Sequence, residues 1–238
     1  MKKQTSGLCR RMDIGMIHVS NISKTYHGTP VLTDISLSVA PGECVGLAGE
    51  NSCGKTTLIS IAAGHVKPDS GTVVTEGSVA LVPQQLDIAG ELTTLENLTL
   101  WYAAHRLPSS SIFSAGRPET RLGLGEYART RVNKLSGGRQ KRLSIAIALL
   151  GNPSILMLDE PFNMLDIWGR REMEDIIKEQ KTLGRSVLLT AHEPLTLSTV
   201  CDRVALMRNG RIADVLELKG KNKTEISDLI SRYTQNNF

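Results

Sequence analysis

Eight residues, Gly49-Glu50-Asn51-Ser52-Cys53-Gly54-Lys55-Thr56, constrain what this chain can fold into more than any others. They follow a short apolar run, Glu43 to Ala48, and precede a helical one, Lys55 to Ala63, which stops at Gly64. Glycine reaches backbone conformations closed to residues that carry a Cβ. A G-x-x-x-x-G-K-T spacing therefore lets the chain wrap with successive N–H groups pointing inward. The helix starting there adds partial positive charge at its N-terminus. Such a strand–loop–helix unit cradles phosphate. Lys55 is placed to reach the β- and γ-phosphates of a nucleotide, and the Thr56 hydroxyl to ligate Mg²⁺. Gly49, Glu50, Asn51, Ser52, Cys53, Gly54, Lys55, Thr56 and Thr57 together form the candidate nucleotide-binding segment. The strand–helix setting disfavours the alternative of an ordinary glycine-rich turn.

Around this unit the pattern alternates strand and helix. Strand signals fall at Ile17 to Val19, Val31 to Val39, Val79 to Val82, 154–159, 186–191 and 203–208, and helix signals at 137–151 and 166–182. Apolar strands without alternation argue for a parallel sheet covered on both faces. Aromatics make up only 4% of the 238 residues, which leaves an aliphatic core of the kind such sheets bury. The expected fold class is α/β: a P-loop NTPase with a mostly parallel sheet flanked by helices, a small antiparallel β region and an inserted helical subdomain. The insert spans about 93–134, a Leu-, Arg- and Ala-rich stretch with no strand signal. Residues 16–218 form the main domain, 219–238 a helical tail, and 1–15, polar and basic, a disordered segment that makes Met16 an alternative start.

A formal net charge of +4 is too mild for a nucleic-acid surface, and the basic residues do not interleave with aromatics, so no nucleic-acid partner is expected. Four scattered cysteines without a C-x-x-C pair indicate neither a zinc site nor a disulfide framework. No apolar run approaches the roughly 18 residues a membrane span needs. The expectation is a cytoplasmic protein.

Two further motifs carry chemistry. Ser154-Ile155-Leu156-Met157-Leu158-Asp159-Glu160 is an apolar strand ending in two carboxylates, where open α/β sheets place their sites. Asp159 suits the magnesium shell, and Glu160 the orientation or deprotonation of an attacking water. Leu135-Ser136-Gly137-Gly138-Arg139-Gln140 precedes a helix whose Leu143, Ala146, Ile147 and Leu150 share one face. Ser136 is a natural N-cap, and two bare glycines make a poor helix start but a good anion surface.

LSGG before a helix, then a strand ending in LDEP and a following LD, resembles the ATP-binding cassette (ABC) transporter family from about Met16 to Gly210. The resemblance implies ATP and Mg²⁺ as cofactors, ATP hydrolysis, and two cassettes paired head to tail. In such a pair Ser136, Gly137 and Gly138 contact the γ-phosphate held by the partner's loop. It further implies that Tyr26 stacks on adenine, that Gln84 touches magnesium and water, that Leu165-Asp166 links the two sites, and that His192 contacts the γ-phosphate. The implied metal set is Thr56, Gln84 and Asp159, and the implied catalytic set Glu160, His192 and Gln84. Ser52, Arg139 and Met164 depart from the family's usual residues, and the span from Gly71 to Gln84 is short for it.

The expected function is that of the ATP-hydrolysing subunit of an ABC transporter. It would pair with a second cassette, identical or not, and energise a separate membrane permease at the inner face of the cell membrane. The short stretch after Gly210 leans towards export. A soluble ABC-type ATPase serving an assembly process such as iron–sulfur cluster delivery is the alternative. The permease is expected to dock near Leu92 to Leu107 and Gln84.

Overall fold

Strands whose side chains alternate between two apolar faces need cover on both, and this sheet has it. The computed structural model describes residues 15–85, 88–192, 194–222, 224–226 and 228. The expected disordered start and most of the expected tail helix lie outside them.

Among the described residues nine strands form two sheets. The larger runs β5 (Val79–Val82), β6 (Ile155–Leu158), β7 (Ser186–Ala191), β3 (Cys44–Gly49), β8 (Arg203–Arg208), β9 (Arg211–Glu217). The pairings from β5 to β8 are parallel, and β9 returns antiparallel. The smaller sheet is antiparallel, with β1 (Met16–Tyr26) between β2 (Thr29–Val39) and β4 (Ser70–Glu76).

Side-chain alternation along the central strands divides the core in two. Cys44, Leu156, Leu158, Val187, Leu189, Val204 and Leu206 point to one face. There they meet α4 (Gly137–Leu150), α5 (Ile167–Thr182) and the helical insert. Val45, Leu47, Ile155, Met157, Leu188, Ala205 and Met207 point to the other, against α1 (Lys55–Ala62) and the inner face of the antiparallel sheet. With both faces buried, β3 and β6 read as unbroken apolar runs, and β7 carries only the hydroxyls of Ser186 and Thr190 among buried apolar residues, and that is why they were legible.

Helix α1 stops where expected: Ala63 closes it and Gly64, at φ 78°, takes the left-handed turn. In the insert, α2 (Thr94–Ala104) begins in a capping box. The Glu96 N–H donates to Thr93 Oγ1 at 3.2 Å and the Thr93 N–H to Glu96 Oε2 at 2.7 Å. The insert continues through single 3-10 turns and α3 (Pro118–Arg121), and its ends meet where the Val132 N–H donates to the Leu92 carbonyl at 3.0 Å. Its interior holds the buried Glu119, which accepts hydrogen bonds from the Tyr102 hydroxyl and, at 3.3 Å, from the Phe113 N–H. Burial and that carboxylate push the Tyr102 phenol up to about 12.

Two strands were not anticipated. β4 and β9 lie at sheet edges with mostly exposed residues, so neither carries an apolar alternation.

Candidate functional site

Four parallel strands bring their C-terminal ends to one edge of the large sheet. β3 ends in Gly49, β6 runs into Asp159 and Glu160, β7 into His192, and β5 into Pro83 and Gln84. Residues far apart in sequence therefore converge there.

The loop after β3 is held by backbone geometry. Gly54 sits at φ 104°, and a Cβ there would lie 2.5 Å from Leu32 Cδ2 and 2.9 Å from the Val31 carbonyl oxygen, so the position is closed to other residues. Lys55 is buried and its ammonium donates to the Gly49 and Glu50 carbonyls at 2.6 and 2.8 Å. The charge thus lies over the loop instead of reaching solvent. No side chain caps α1 and its first turn has no carboxylate, so its leading N–H groups stay available to an anion. Cys53 faces the core, its thiol pushed up chiefly by burial.

Both acidic residues are buried, and one hydroxyl ties the Asp159 carboxylate to the Glu160 backbone. The fully buried Thr190 donates its hydroxyl to Asp159 Oδ1 at 2.6 Å and accepts from the Glu160 N–H at 2.8 Å. Glu160 holds φ 50°, a left-handed conformation that costs about 1–3 kcal/mol outside glycine and concentrates at functional positions. Its Oε1 is buried, lies 3.3 Å from His192 Nε2, and has no aligned hydrogen-bond donor. Desolvation raises the carboxyl above its ordinary range, against the pull of His192 and Lys55. An ionised, under-satisfied oxygen in a cleft is an acceptor for a water proton. Behind it Lys141 of α4 donates to the Asp159 and Pro83 carbonyls at 3.2 and 3.3 Å, and burial lowers its ammonium to about 8.

Most of the residues singled out from sequence border two neighbouring cavities. One, of about 450 Å³, is lined by Asn51, Ser52, Gly54, Lys55, Thr56, Thr57, Gln84, Glu160 and His192. The other, of about 290 Å³, has Thr56, Gln84 and Asp159 on its wall. Hydroxyl, amide and carboxylate oxygens suit a hard cation such as Mg²⁺, and one carboxylate leaves coordination sites for phosphate and water. The donor set fits both magnesium and a nucleoside triphosphate.

Other candidates lie elsewhere. Gly49, Glu50 and Cys53 do not line the cavities; the first two act through carbonyls bound to Lys55. Tyr26, 40% exposed at the end of β1, is not on the wall, and Lys24 Nζ lies 5.3 Å from its ring centroid. Ser136, Gly137 and Gly138 start α4 outside both cavities; the Ser136 side chain makes no capping bond, and a Cβ on Gly137 would come 2.7 Å from Met164 Sδ. Asp166 caps α5, accepting from the Gly169 N–H at 2.7 Å.

Sequence reasoning missed Thr190 and Lys141. The local signal for Thr190 is a buried hydroxyl, one of two in β7 with Ser186, a group that must find a partner. Thr190→Val keeps shape and removes both bonds. It is expected to destabilise the fold by about 1–3 kcal/mol and to slow turnover more than it weakens ATP binding, which a thermal melt and steady-state kinetics check.

The family model described as ABC transporter matches residues 32–163. The aliphatic sulfonates import ATP-binding protein SsuB of Delftia acidovorans is 35% identical over 203 residues, covering 84% of this chain and 83% of that protein. The Nod factor export ATP-binding protein I of Sinorhizobium fredii is 30% identical over 247 residues, covering 92% and 72%. Among solved structures, an ATP-binding subunit of an ABC transporter superposes with a TM-score of 0.78 at 26% identity, covering 91% of this chain and 99% of that one. A dimeric cassette, MJ0796, in a post-hydrolysis state with ADP and Pi gives 0.76 at 25% identity, covering 86% and 100%. With more than half of the chain inside the family model and relatives aligned over most of its length, this protein belongs to the ABC transporter family, as an ATP-binding subunit that hydrolyses ATP.

Proposed function

We propose that this chain works as one of a pair of cassettes, binding MgATP and energising export of a solute through a separate membrane permease. The observation that carries the catalytic part is the buried, under-satisfied Glu160 Oε1, whose residue shares a cavity wall with Lys55, Thr56, Gln84 and His192. Lys55 and the leading amides of α1 hold the phosphates, and Thr56, Gln84 and Asp159 hold the metal. When bound, Mg²⁺ neutralises charge on the phosphate oxygens. Glu160 takes the proton of an attacking water while His192 fixes the position of the terminal phosphate. Tyr26 offers its ring to adenine.

Pairing is supported by the signature residues. Ser136 to Gly138 present an anion-binding helix start away from the chain's own cavity, so the phosphate they serve belongs to a second cassette. Dimeric relatives with the same fold support the same reading. We assign 16–218 to the cassette and about 93–134 to its moving insert. The permease contact falls in a groove of about 830 Å³ that includes Leu81, Gln85, Ile88, Trp101, His105 and Ile147, between β5, α2 and α4. Among the described residues no helix is long and apolar enough to cross a membrane. Curated relatives serve both import and export: the Nod factor export proteins align over 92 and 94% of this chain at 30 and 29% identity, and the sulfonate importers over 84 and 83% at 35 and 33%.

Affinity capture of the full chain from detergent-solubilised membranes of its own cells tests the permease assignment. A stoichiometric multi-span membrane protein is expected; a wholly soluble complex would instead favour an assembly ATPase.

A further inference from the structure

We propose that the Met164 thioether is a peroxide-sensitive modification site, whose oxidation to the sulfoxide blocks the first turn of α4. The consequence for closure rests on the paired-cassette reading above; the modification itself does not.

Met164 is 83% exposed, more than any other large apolar side chain among the described residues. Met157, Met173 and Met207 are buried at 0, 2 and 3%, and Met16 is half-buried in β1. Three of these side chains are shielded from an oxidant in solvent and Met16 partly so; most of the Met164 side chain is open to it. Its place matters as much as its exposure. Its Sδ packs on Gly137 so closely that a Cβ there would lie 2.7 Å away, and its carbonyl oxygen would lie 3.2 Å from a Cβ on Gly138. Thioether and helix start are in contact.

That helix start carries unused donors. Ser136 makes no side-chain capping bond, and the first turn of α4 contains no carboxylate. A thioether is a weak acceptor and leaves those amides free. A sulfoxide oxygen is polar and fixed to the same sulfur, so it can accept the N–H groups of Gly137 and Gly138 in place of a phosphate oxygen. The chemistry is balanced. The sulfur lone pair attacks one oxygen of hydrogen peroxide, the O–O bond breaks, and the other oxygen takes the proton and leaves as water. Sulfur loses two electrons and the peroxide gains them.

The test treats the full-length protein with hydrogen peroxide in the absence of nucleotide, followed by catalase and dithiothreitol. The thiol reductant reverses disulfides and sulfenic acids at Cys53, Cys44 and Cys201 but not a sulfoxide. Peptide mass mapping is expected to show one added oxygen at Met164 before Met16, Met157, Met173 or Met207. ATP turnover should fall about a hundredfold, the scale of losing one preorganised anion donor. It should recover with methionine sulfoxide reductase. Met164→Leu, compared with its own untreated rate, should keep most of its activity through the same treatment. Oxidation that spares Met164, or an equal loss in Met164→Leu, would overturn the proposal. In a Glu160→Gln background MgATP should slow oxidation of Met164; oxidation and inhibition without that protection would leave the modification site standing and count against the paired closure.

Discussion

Replacing Glu160 with glutamine is expected to lower ATP turnover by about 10²–10⁴-fold while MgATP still binds. Glutamine preserves length and shape but cannot take a proton. The Thr190 hydroxyl still receives the backbone N–H at position 160, so the loop keeps its geometry. The stability readout has a definite sign. Burial raises the Glu160 carboxyl, so its ionised form is disfavoured in the folded chain relative to the unfolded one. Its contribution is favourable below the unfolded value and is lost as pH rises through the folded one, leaving a penalty at neutral pH. Glu160→Gln removes that penalty and should raise the melting temperature. Single-turnover kinetics with a parallel melt checks both; a variant turning over near the parent rate would remove Glu160 from the reaction.

Lys55→Ala should act on the opposite quantity. The ammonium is buried and already oriented by two loop carbonyls at 2.6 and 2.8 Å, so little ordering remains when triphosphate arrives. Charge-assisted bonds contribute about 1.5–3 kcal/mol each, and two phosphate contacts make the expected rise in Kd at least about 150-fold. Tyr26→Ala provides the comparison. A stacked adenine is worth about 1–3 kcal/mol, roughly 5- to 150-fold, and an exposed ring with Lys24 over it belongs at the lower end. Calorimetric titration with MgATP separates the two. A Kd for Lys55→Ala within about fivefold of the parent would mean that the triphosphate lies somewhere else.

The two substitutions also separate roles that the cavity wall mixes. Lys55 and Glu160 border the same space, but one is satisfied by carbonyls and the other has an oxygen without a donor. A satisfied cation is ready to trade carbonyls for phosphate. An unsatisfied carboxylate is ready for a water.

What the residues determine by themselves is local. The G-x-x-x-x-G-K-T spacing and strands apolar at every position can each be read within a few residues. Their requirements involve backbone conformation and burial alone, so Gly49 to Thr57, Asp159, Glu160 and the α/β class were legible. Edge strands β4 and β9 were not, because mostly exposed residues impose no pattern. Tertiary structure alone decided which groups meet. Thr190 joins the Asp159 carboxylate to the Glu160 N–H, some thirty positions away, because β6 and β7 are neighbours, and Met164 lies on Gly137 because the turn after β6 passes the start of α4. The same packing left Ser136 to Gly138 outside the chain's own cavity. Contacts of that kind follow from strand order and helix placement, which emerge only when both faces of the sheet are covered at once.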